Sequence, residues 1–307
     1  MEKYCHRDWI LTVYIMKSAF LIVAHGNFDM LKYLIRALDY KNNDIYIHID
    51  KKCGNIDFSQ FQNITQYSKV ECLKNRISVL WGGISQPHST FLLLENAIRG
   101  GQYDYFHLIS GVDFPLLSNE EIDSFLTRHQ GTEFVGFTKN DKDLFSKLGY
   151  YHPFFNGYLG KLPCSKRLDA LFMRMQLFLH IRQFTNIREF SKGCNWWSIT
   201  YDLAVSLLKE KEKILKQYRY TLCCDEVFLQ TFIKQHPEFL AKVYDKDNEY
   251  RSCMRLIDWN RGNPYVYNRS DFEELNNSRY FFARKFGNID VLKDFVVYRE
   301  KKKVLSL

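Results

Sequence analysis

Apolar runs alternate with amphipathic helical patterns along the first part of the chain. Residues 18–24 are a continuous apolar run, as expected of a parallel strand buried on both faces. A turn at 25–27 follows, and Asn27 is placed to cap a helix. The apolar stripe of this helix is Leu31, Leu34, Ile35 and Leu38. The alternating stretch 44–49 predicts the next strand, which ends at Asp50, so the chain opens with a βαβ unit.

The same alternation of strands and helices extends to residue 137. Further strands are predicted at 77–80, 105–110 and 133–137, and helices at 89–99 and 120–128. Later elements are less regular, with a strand at 196–200, helices at 201–216 and 225–235, and a short helix near Asp271. Without a repeat or a linker, this pattern predicts a single α/β domain with a mostly parallel, Rossmann-like sheet flanked by helices.

Composition narrows the class of protein. The chain has 307 residues, of which 46% are apolar and 25% charged, so it can bury a core and is not disordered. Aromatic residues make up 16%, and most of them are expected in that core. The net charge is +8, but no window resembles a nucleic-acid-binding arm. We therefore expect no nucleic-acid partner, and an acidic small molecule such as a sugar nucleotide, or an anionic membrane surface, suits the charge.

Cysteine usage and hydropathy suggest a compartment. The eight cysteines form no C-x-x-C pair and are interpreted as reduced thiols of a cytoplasmic protein. No apolar run approaches the 20 or so residues that a transmembrane helix needs. Because Met16 resembles a natural start, residues 1–15 are interpreted as a questionable N-terminal extension. The domain is predicted to span 16–290, followed by a basic tail at 291–307 that allows peripheral contact with anionic lipid at the inner face of the plasma membrane.

Several polar or small residues follow the predicted strands. His25, Asp50, the pair Trp81–Gly82 and Asp113 each stand at the carboxyl end of a strand. Open α/β sheets bind ligands at that edge, so these residues are candidates for a cleft. Taken singly, a His or Asp after a strand is more often a turn or cap residue, and it is their common position along one edge that favours a cleft. Asp50, for example, can cap the following turn or pair with a neighbouring lysine.

Charged residues later in the chain offer two further functions. Asp225 and Glu226 open a predicted helix, where acids are favourable against the helix dipole, but a carboxylate facing a cleft is also a general base. A pyrophosphate leaving group needs positive charge, which a C-terminal group of basic residues can supply unless it is only a solvated face. That group comprises Arg255, Arg261, Arg284 and Lys285.

Two D-x-D patterns, 141–143 and 245–247, are of the kind that holds a divalent metal in many nucleotide-sugar transferases. Both stand in polar, lysine-rich stretches and are interpreted as loops. The sequence contains neither a Walker A loop, a G-x-G-x-x-G, an H-E-x-x-H nor a G-x-S-x-G motif, so the usual signatures of NTPases, dinucleotide enzymes, zinc proteases and serine hydrolases are missing.

Eight segments in a fixed order resemble one known family. They are AHGNFDMLKYLIRAL, IYIHIDKK, WGGISQ, YDYFHLISGVDFPL, GCNWWSIT, CDEVFLQT, RLIDWNRGNP and SRYFFARKF. Together they span about 18–290 and are similar to the core-2/I-branching β-1,6-N-acetylglucosaminyltransferases and their peptide O-xylosyltransferase relatives, in particular to short bacterial members.

The resemblance implies a GT-A-like fold and an inverting, metal-independent transfer from a UDP-sugar, with no cofactor. Glu226 matches the family's base, Lys285 and, by spacing alone, Arg261 its diphosphate ligands, and Asp50 its nucleoside ligand. The resemblance also assigns His25, Trp81, Gly82 and Asp113 to the donor cleft. It assigns Asn195, Trp196, Trp197 and Asp225 to the pocket for the transferred sugar or acceptor.

The function that the resemblance implies is transfer of GlcNAc to a hydroxyl of a glycan or glycolipid acceptor in bacterial surface polysaccharide synthesis. Residues 18–137 would bind the donor and 138–290 the acceptor. Two alternatives stay open at this point. One is a UDP-xylose-dependent transferase, and the other is a homologue that binds nucleotide sugars or carbohydrates without catalysis.

Overall fold

A computed structural model describes residues 16–139 and 142–305. The predicted extension 1–15 and Asp141 of the first D-x-D pattern lie outside the described residues. The strands are β1 (Ser18–Ala24), β2 (Asn43–Ile49), β3 (Val70–Cys72), β4 (Tyr105–Ser110), β5 (Phe114–Pro115), β6 (Trp197–Thr200), β7 (Arg255–Ile257) and β8 (Phe282–Arg284).

The helices are α1 (Phe28–Ala37), α2 (Ser59–Gln62), α3 (Ser85–Gly100), α4 (Asn119–Arg128), α5 (Leu144–Leu148), α6 (Ser165–Phe178), α7 (Tyr201–Lys209), α8 (Lys211–Gln217), α9 (Phe228–Gln235), α10 (Pro237–Leu240), α11 (Glu249–Cys253), α12 (Phe272–Asn277) and α13 (Ile289–Leu305). Short 3₁₀ turns connect several of them.

The central sheet has the strand order β3-β2-β1-β4-β6. All neighbours in it are parallel except β4 and β6, which pair antiparallel. The predicted mixed α/β architecture with a mainly parallel sheet is therefore confirmed. A smaller sheet of order β5-β8-β7 packs beside it.

The central sheet is covered on both faces. Along β1, Phe20 and Ile22 point into one apolar core, and Ala19 and Leu21 point into the other. Helix α1, the small sheet and α13 contribute to the first core, while α3, α7 and α9 contribute to the second. This two-sided burial is why β1 reads as an uninterrupted apolar run rather than as an alternating one.

Two predicted strands are wrong. Residues 77–80 form no strand, and the third parallel strand is β3. Residues 133–137 form only isolated bridges, from Glu133 to Val243 and from Phe134 to Ser198. Short extended stretches of apolar residues look like strands in sequence, but neither stretch finds a continuous partner along the sheet.

Three helix ends also differ from the prediction. Asn27 lies at the N-cap of α1 with a φ of 49°, and its side chain makes no capping hydrogen bond. The predicted helix 201–216 is divided at Glu210 into α7 and α8. Asp225 and Glu226 do not open a helix: they lie in a 3₁₀ turn, Cys224–Glu226, that precedes α9.

The segment predicted as a basic tail at 291–307 is largely helical, because α13 extends to Leu305. Val291, Leu292 and Phe295 of this helix are buried in the first core. Arg299 donates a hydrogen bond to the Pro115 carbonyl at 3.0 Å. Among the described residues, we find no helix with the length and apolar character needed to cross a bilayer.

Candidate active site

A cavity of about 250 Å³ opens at the carboxyl ends of β1 and β4. It is lined by residues 24–27, which begin with the last residue of β1, and by residues 110–112, which begin with the last residue of β4. His25 is exposed at its rim. This edge, between adjacent parallel strands, is where an open α/β sheet offers backbone groups and loop side chains to a ligand.

Asp113 lies buried just behind this cavity. Its carboxylate accepts a hydrogen bond from the Ser110 backbone N–H at 2.8 Å and from Arg284 Nη1 at 2.9 Å. Burial raises the pKa of Asp113, and the positive charge of Arg284 opposes that rise. The Arg284 guanidinium also stacks 4.4 Å from the ring centre of Trp196. Arg284 thus connects β8 to the carboxyl edge of the central sheet.

Lys285 is held by its backbone and free at its ammonium group. Its N–H donates to the Tyr265 carbonyl at 3.4 Å, and its carbonyl accepts from the Tyr267 N–H at 3.0 Å. Within the parts of the chain that the structure describes, its half-buried side chain makes no ion pair. A cation in that state is available to an anionic ligand.

Arg261 is in the opposite state. Its guanidinium forms ion pairs with Asp258, with Asp271 at 2.9 Å and with Glu274 at 2.8 Å, and it stacks on the Tyr265 ring at 4.3 Å. Three carboxylates surround one positive charge, so a phosphate would have to displace at least one of them.

Two turns that are far apart in sequence are bonded together beside the sheet. The Cys223 N–H donates to the Gly82 carbonyl at 2.8 Å, and the Gly82 N–H donates to Gln86 Oε1 at 2.6 Å. Gly82 has a φ of 73°, a left-handed conformation that favours glycine. The Trp81–Gly83 turn therefore supports the turn that carries Asp225 and Glu226.

Glu226 faces two lysines. Lys147 Nζ lies 2.7 Å from Glu226 Oε2, and Lys192 Nζ lies 3.7 Å from the same oxygen. Each ammonium is also 2.8 Å from Asp143. Burial disfavours the charged form of Lys147, but the two carboxylates outweigh it and raise its pKa. Glu226 Oε1 has no hydrogen bond or ion pair among the described residues, and the side chain is 34% exposed.

Asp225 lies underneath Glu226, inside the protein. Its Oδ2 accepts hydrogen bonds from Gln86 Nε2 at 2.9 Å and from Asn195 Nδ2 at 3.0 Å. Its Oδ1 is buried and has no partner among the described residues. Burial, reinforced by the negative charge of Glu226, raises the pKa of Asp225 to about 7. Through these two hydrogen bonds the side chain holds the turn in place.

The other predicted site residues fall into two groups. Asp50 is buried and caps the next turn through the Lys52 N–H at 2.8 Å, with Lys52 Nζ at 3.3 Å, so its contacts are those of the capping alternative. Trp197 is only 1% exposed and belongs to the core, where no substrate can reach it. Trp81, in contrast, is 64% exposed, with Lys166 Nζ 5.0 Å from its ring centre.

The structure adds residues to the Glu226 turn that no motif indicated. Lys147 and Lys192 stand in unremarkable polar stretches. Gln86 is the last residue of the segment WGGISQ, which was the one signal for it. Asp143 belongs to a D-x-D pattern interpreted as a loop, and it does precede α5 there, yet its carboxylate joins the charges around Glu226.

The second D-x-D pattern is occupied by local contacts. Asp245 accepts hydrogen bonds from the backbone N–H groups of Asp247 and Asn248, and Asp247 pairs with Lys139 at 2.9 Å. Within 16–139 and 142–305, no three His, Cys, Asp or Glu side chains cluster in a way that could hold a metal ion.

Comparisons with known proteins match most of the chain. The model of the Core-2/I-branching enzyme family matches residues 18–278. Xylosyltransferase 2 of Canis lupus familiaris is 26% identical over 92% of this chain and 34% of its own length. The xylosyltransferase of Ciona intestinalis is 23% identical over 88% of this chain and 32% of its own.

The chain thus spans about a third of the length of these curated relatives. A crystal structure of mouse xyloside xylosyltransferase 1 in its apo form covers 91% of this chain and 99% of its own, at 10% identity and a TM-score of 0.36. That likeness is too low to add to what the strand order already says.

Proposed function

The chain belongs to the Core-2/I-branching enzyme family of glycosyltransferases, and we propose that it transfers a sugar from a UDP-sugar to a hydroxyl of a glycan acceptor, with inversion and without a metal ion. One arrangement carries the proposal. Consecutive residues Asn195 and Trp196 connect the Glu226 turn, through Asp225, with the Arg284–Lys285 pair. A reachable carboxylate and an unpaired cation are thereby attached to one short segment.

Glu226 is proposed as the general base. An inverting transfer needs one carboxylate to take the proton from the acceptor hydroxyl as its oxygen attacks the anomeric carbon. Lys147 occupies Oε2, while Oε1 is left to accept the proton. Asp225 and Gln86 support the role indirectly, because they fix the turn on which Glu226 stands.

Lys285 and Arg284 are proposed to stabilise the departing UDP. Negative charge grows on the diphosphate as its bond to the sugar breaks, and preorganised cations lower that barrier. Asp113 holds Arg284 in position at 2.9 Å. Arg261 was the other predicted ligand, but its three carboxylate partners make Arg284 the better supported choice. The cavity beside His25 is proposed for the nucleoside, at the sheet edge.

The donor sugar is the least constrained part of the proposal. The relatives described above are named xylosyltransferases, which favours UDP-xylose over the UDP-GlcNAc that the sequence motifs suggested. Trp81, which the resemblance assigns to the donor cleft, is proposed instead for the acceptor side, since its ring is exposed and aromatic faces stack on sugars. Glycan or glycolipid acceptors both fit such a surface.

The test is UDP release from UDP-xylose and UDP-GlcNAc, each with EDTA, by the wild type, by Glu226→Gln and by a control, Glu212→Gln, whose carboxylate is 88% exposed on α8. We expect turnover of one donor in EDTA, a loss of about 10²–10⁴-fold in Glu226→Gln, and no change in the control.

Turnover that requires Mn²⁺ or Mg²⁺ would overturn the metal-free mechanism. Unchanged turnover in Glu226→Gln would overturn the base. If neither donor is turned over, calorimetry decides: donor binding without turnover, in the presence of acceptor glycans, supports a binding protein, and no donor binding at all contradicts the proposal.

A further inference from the structure

Helix α6 buries polar residues and exposes apolar ones, the reverse of an ordinary surface helix. Its two buried side chains are Asp169 and Gln176. Asp169 pairs with His152 at 2.6 Å, and Gln176 exchanges two hydrogen bonds of 2.9 Å with the backbone of Tyr151. Polar contacts thus account for its two buried side chains, Phe172 packs against Phe154, and much of the remaining apolar surface of the helix stays exposed.

We call the exposed apolar surface of α6, and of the stretch that follows it to Ile181, the α6 face. Leu171 is 65% exposed and Phe178 is 83% exposed, and they stand seven residues apart, which is two helical turns. Asp169 and Gln176 have the same spacing on the opposite side of the helix. The other exposed apolar residues of the α6 face are Met175, Leu177, Leu179 and Ile181.

Basic side chains border this patch. Arg167 and Arg174 are exposed, and their spacing places them on the same side of the helix as Leu171. Residues 157–183 contain five Lys or Arg residues and a single acid, which is the buried Asp169. The accessible charge of the α6 face is therefore entirely positive within this segment.

We propose that the α6 face binds the surface of an anionic lipid bilayer. A basic helix with exposed Leu and Phe side chains matches the chemistry of interfacial helices, whose apolar residues enter the headgroup region while their cations meet anionic lipid. A second copy of the chain fits less well, because a symmetric contact through this face would bring the arginines of the two copies together.

The α6 face lies close to Trp81 of the candidate active site. Lys166, in the first turn of α6, lies over the ring of Trp81, and Phe155 packs 5.9 Å from the same ring. A bilayer on the α6 face would thus lie beside the exposed Trp81. This contact goes beyond the proposed transferase activity, and neither depends on the other.

The test is co-sedimentation with vesicles of phosphatidylcholine, with and without phosphatidylglycerol. One variant carries Leu171→Gln and Phe178→Gln, a second carries Arg167→Gln and Arg174→Gln, and a control carries Lys301→Gln and Lys302→Gln on α13, where both lysines are exposed. Thermal unfolding verifies that each variant is folded.

We expect the wild type to bind only the anionic vesicles, with an affinity that falls as salt increases. The arginine variant should bind about 25-fold more weakly, at about fivefold for each cation removed, and the apolar variant should lose binding. The control should bind like the wild type.

Absence of wild-type binding, or equal binding by all variants, would overturn the proposal. Loss of binding in the control alone would assign the membrane contact to α13, as the sequence suggested. Sedimentation velocity without vesicles tests whether a second copy of the chain binds the α6 face instead. Self-association that the apolar variant abolishes would assign the face to such a dimer and overturn the proposal.

Discussion

The two charged ends of the candidate site balance their charge in different ways. Around Glu226, two lysines meet two carboxylates, so the cluster is neutral before any substrate enters. At the other end, Arg284 has one carboxylate partner, and the Lys285 ammonium has none among the described residues. A diphosphate would therefore meet uncompensated positive charge at the Lys285 end, whereas the charges at the Glu226 end are already balanced by one another.

Removing the unpaired cation should have the largest effect. We expect Lys285→Met to lower kcat/KM for the donor by about 10²–10³-fold, since it removes a preorganised charge from the leaving group. The measurement is UDP release with the donor that supports turnover. Lys293→Met, at an exposed lysine of α13, is the matched control and should be unaffected. Equal losses in both variants would mean that general charge, not this site, attracts the donor.

The buried carboxyl under Glu226 should make stability depend on pH. The pKa of Asp225 is about 7 in the folded protein against 3.8 for an ordinary Asp, so the unfolded chain loses this proton first as pH rises. Asp225 therefore opposes folding increasingly between those values. We expect Asp225→Asn to gain on the order of 2 kcal/mol relative to wild type between about pH 5 and 7, then level off.

Denaturant unfolding of both proteins at several pH values measures this difference directly. A constant difference between wild type and Asp225→Asn across that range would show that Asp225 is ionised throughout. The neutral cluster around Glu226 would then have one additional negative charge, that of Asp225, beside it.

Breaking the neutral cluster should have a moderate effect. We expect Lys147→Met to cost about 1–2 kcal/mol of unfolding free energy, because it leaves Glu226 and Asp143 with one shared cation in a partly exposed setting. Turnover should fall while donor affinity is kept. Lys192→Met is the matched comparison and should slow turnover less, since its ammonium is 3.7 Å rather than 2.7 Å from Glu226. Donor calorimetry and UDP release separate the two quantities.

The smallest effect on the donor is expected at Arg261. Its charge is already matched by three carboxylates, so Arg261→Gln should leave donor affinity unchanged within about twofold and lower stability slightly. Arg284→Gln, by comparison, should weaken donor binding. Calorimetry could instead find that Arg261→Gln weakens donor binding as much as Lys285→Met does. Arg261 would then bind the diphosphate despite its three carboxylate partners, and pairing would not distinguish the two cations.

The hydrophobic pattern correctly predicted the strands that are buried on both faces. Strands β1 and β4 are buried on both faces, so their apolar runs predict them to the residue. Residues 77–80 and 133–137 are as apolar as a strand but lie where the sheet offers no continuous partner, which pattern alone does not reveal. The 3₁₀ turn at Cys224–Glu226 is similar, because it depends on a bond from Cys223 to the distant Gly82.

The sequence predicted those candidate site residues that stand in recognisable segments, but not those that only tertiary contacts bring to the site. Glu226 and Lys285 stand in the segments that resemble the family. Lys147 and Lys192 do not, since lysines in polar stretches are common and only the fold brings these two to one carboxylate. Trp197 was predicted as a pocket residue because it adjoins Trp196 in the same segment. Its side chain, however, points into the core, since successive residues of a strand face opposite sides.

The reversed direction of β6 has one further consequence for how this protein can diversify. Residues that precede β6, not those that follow it, reach the edge where the parallel strands end, so the chain visits Asn195 and Trp196 before it enters the sheet. The stretch between Lys147 and Lys192 can thus lengthen or shorten without disturbing strand register. Variation confined to that stretch would reshape the surface beside Trp81 and keep the contacts of Lys147, Lys192 and Asn195 with the Asp225–Glu226 turn.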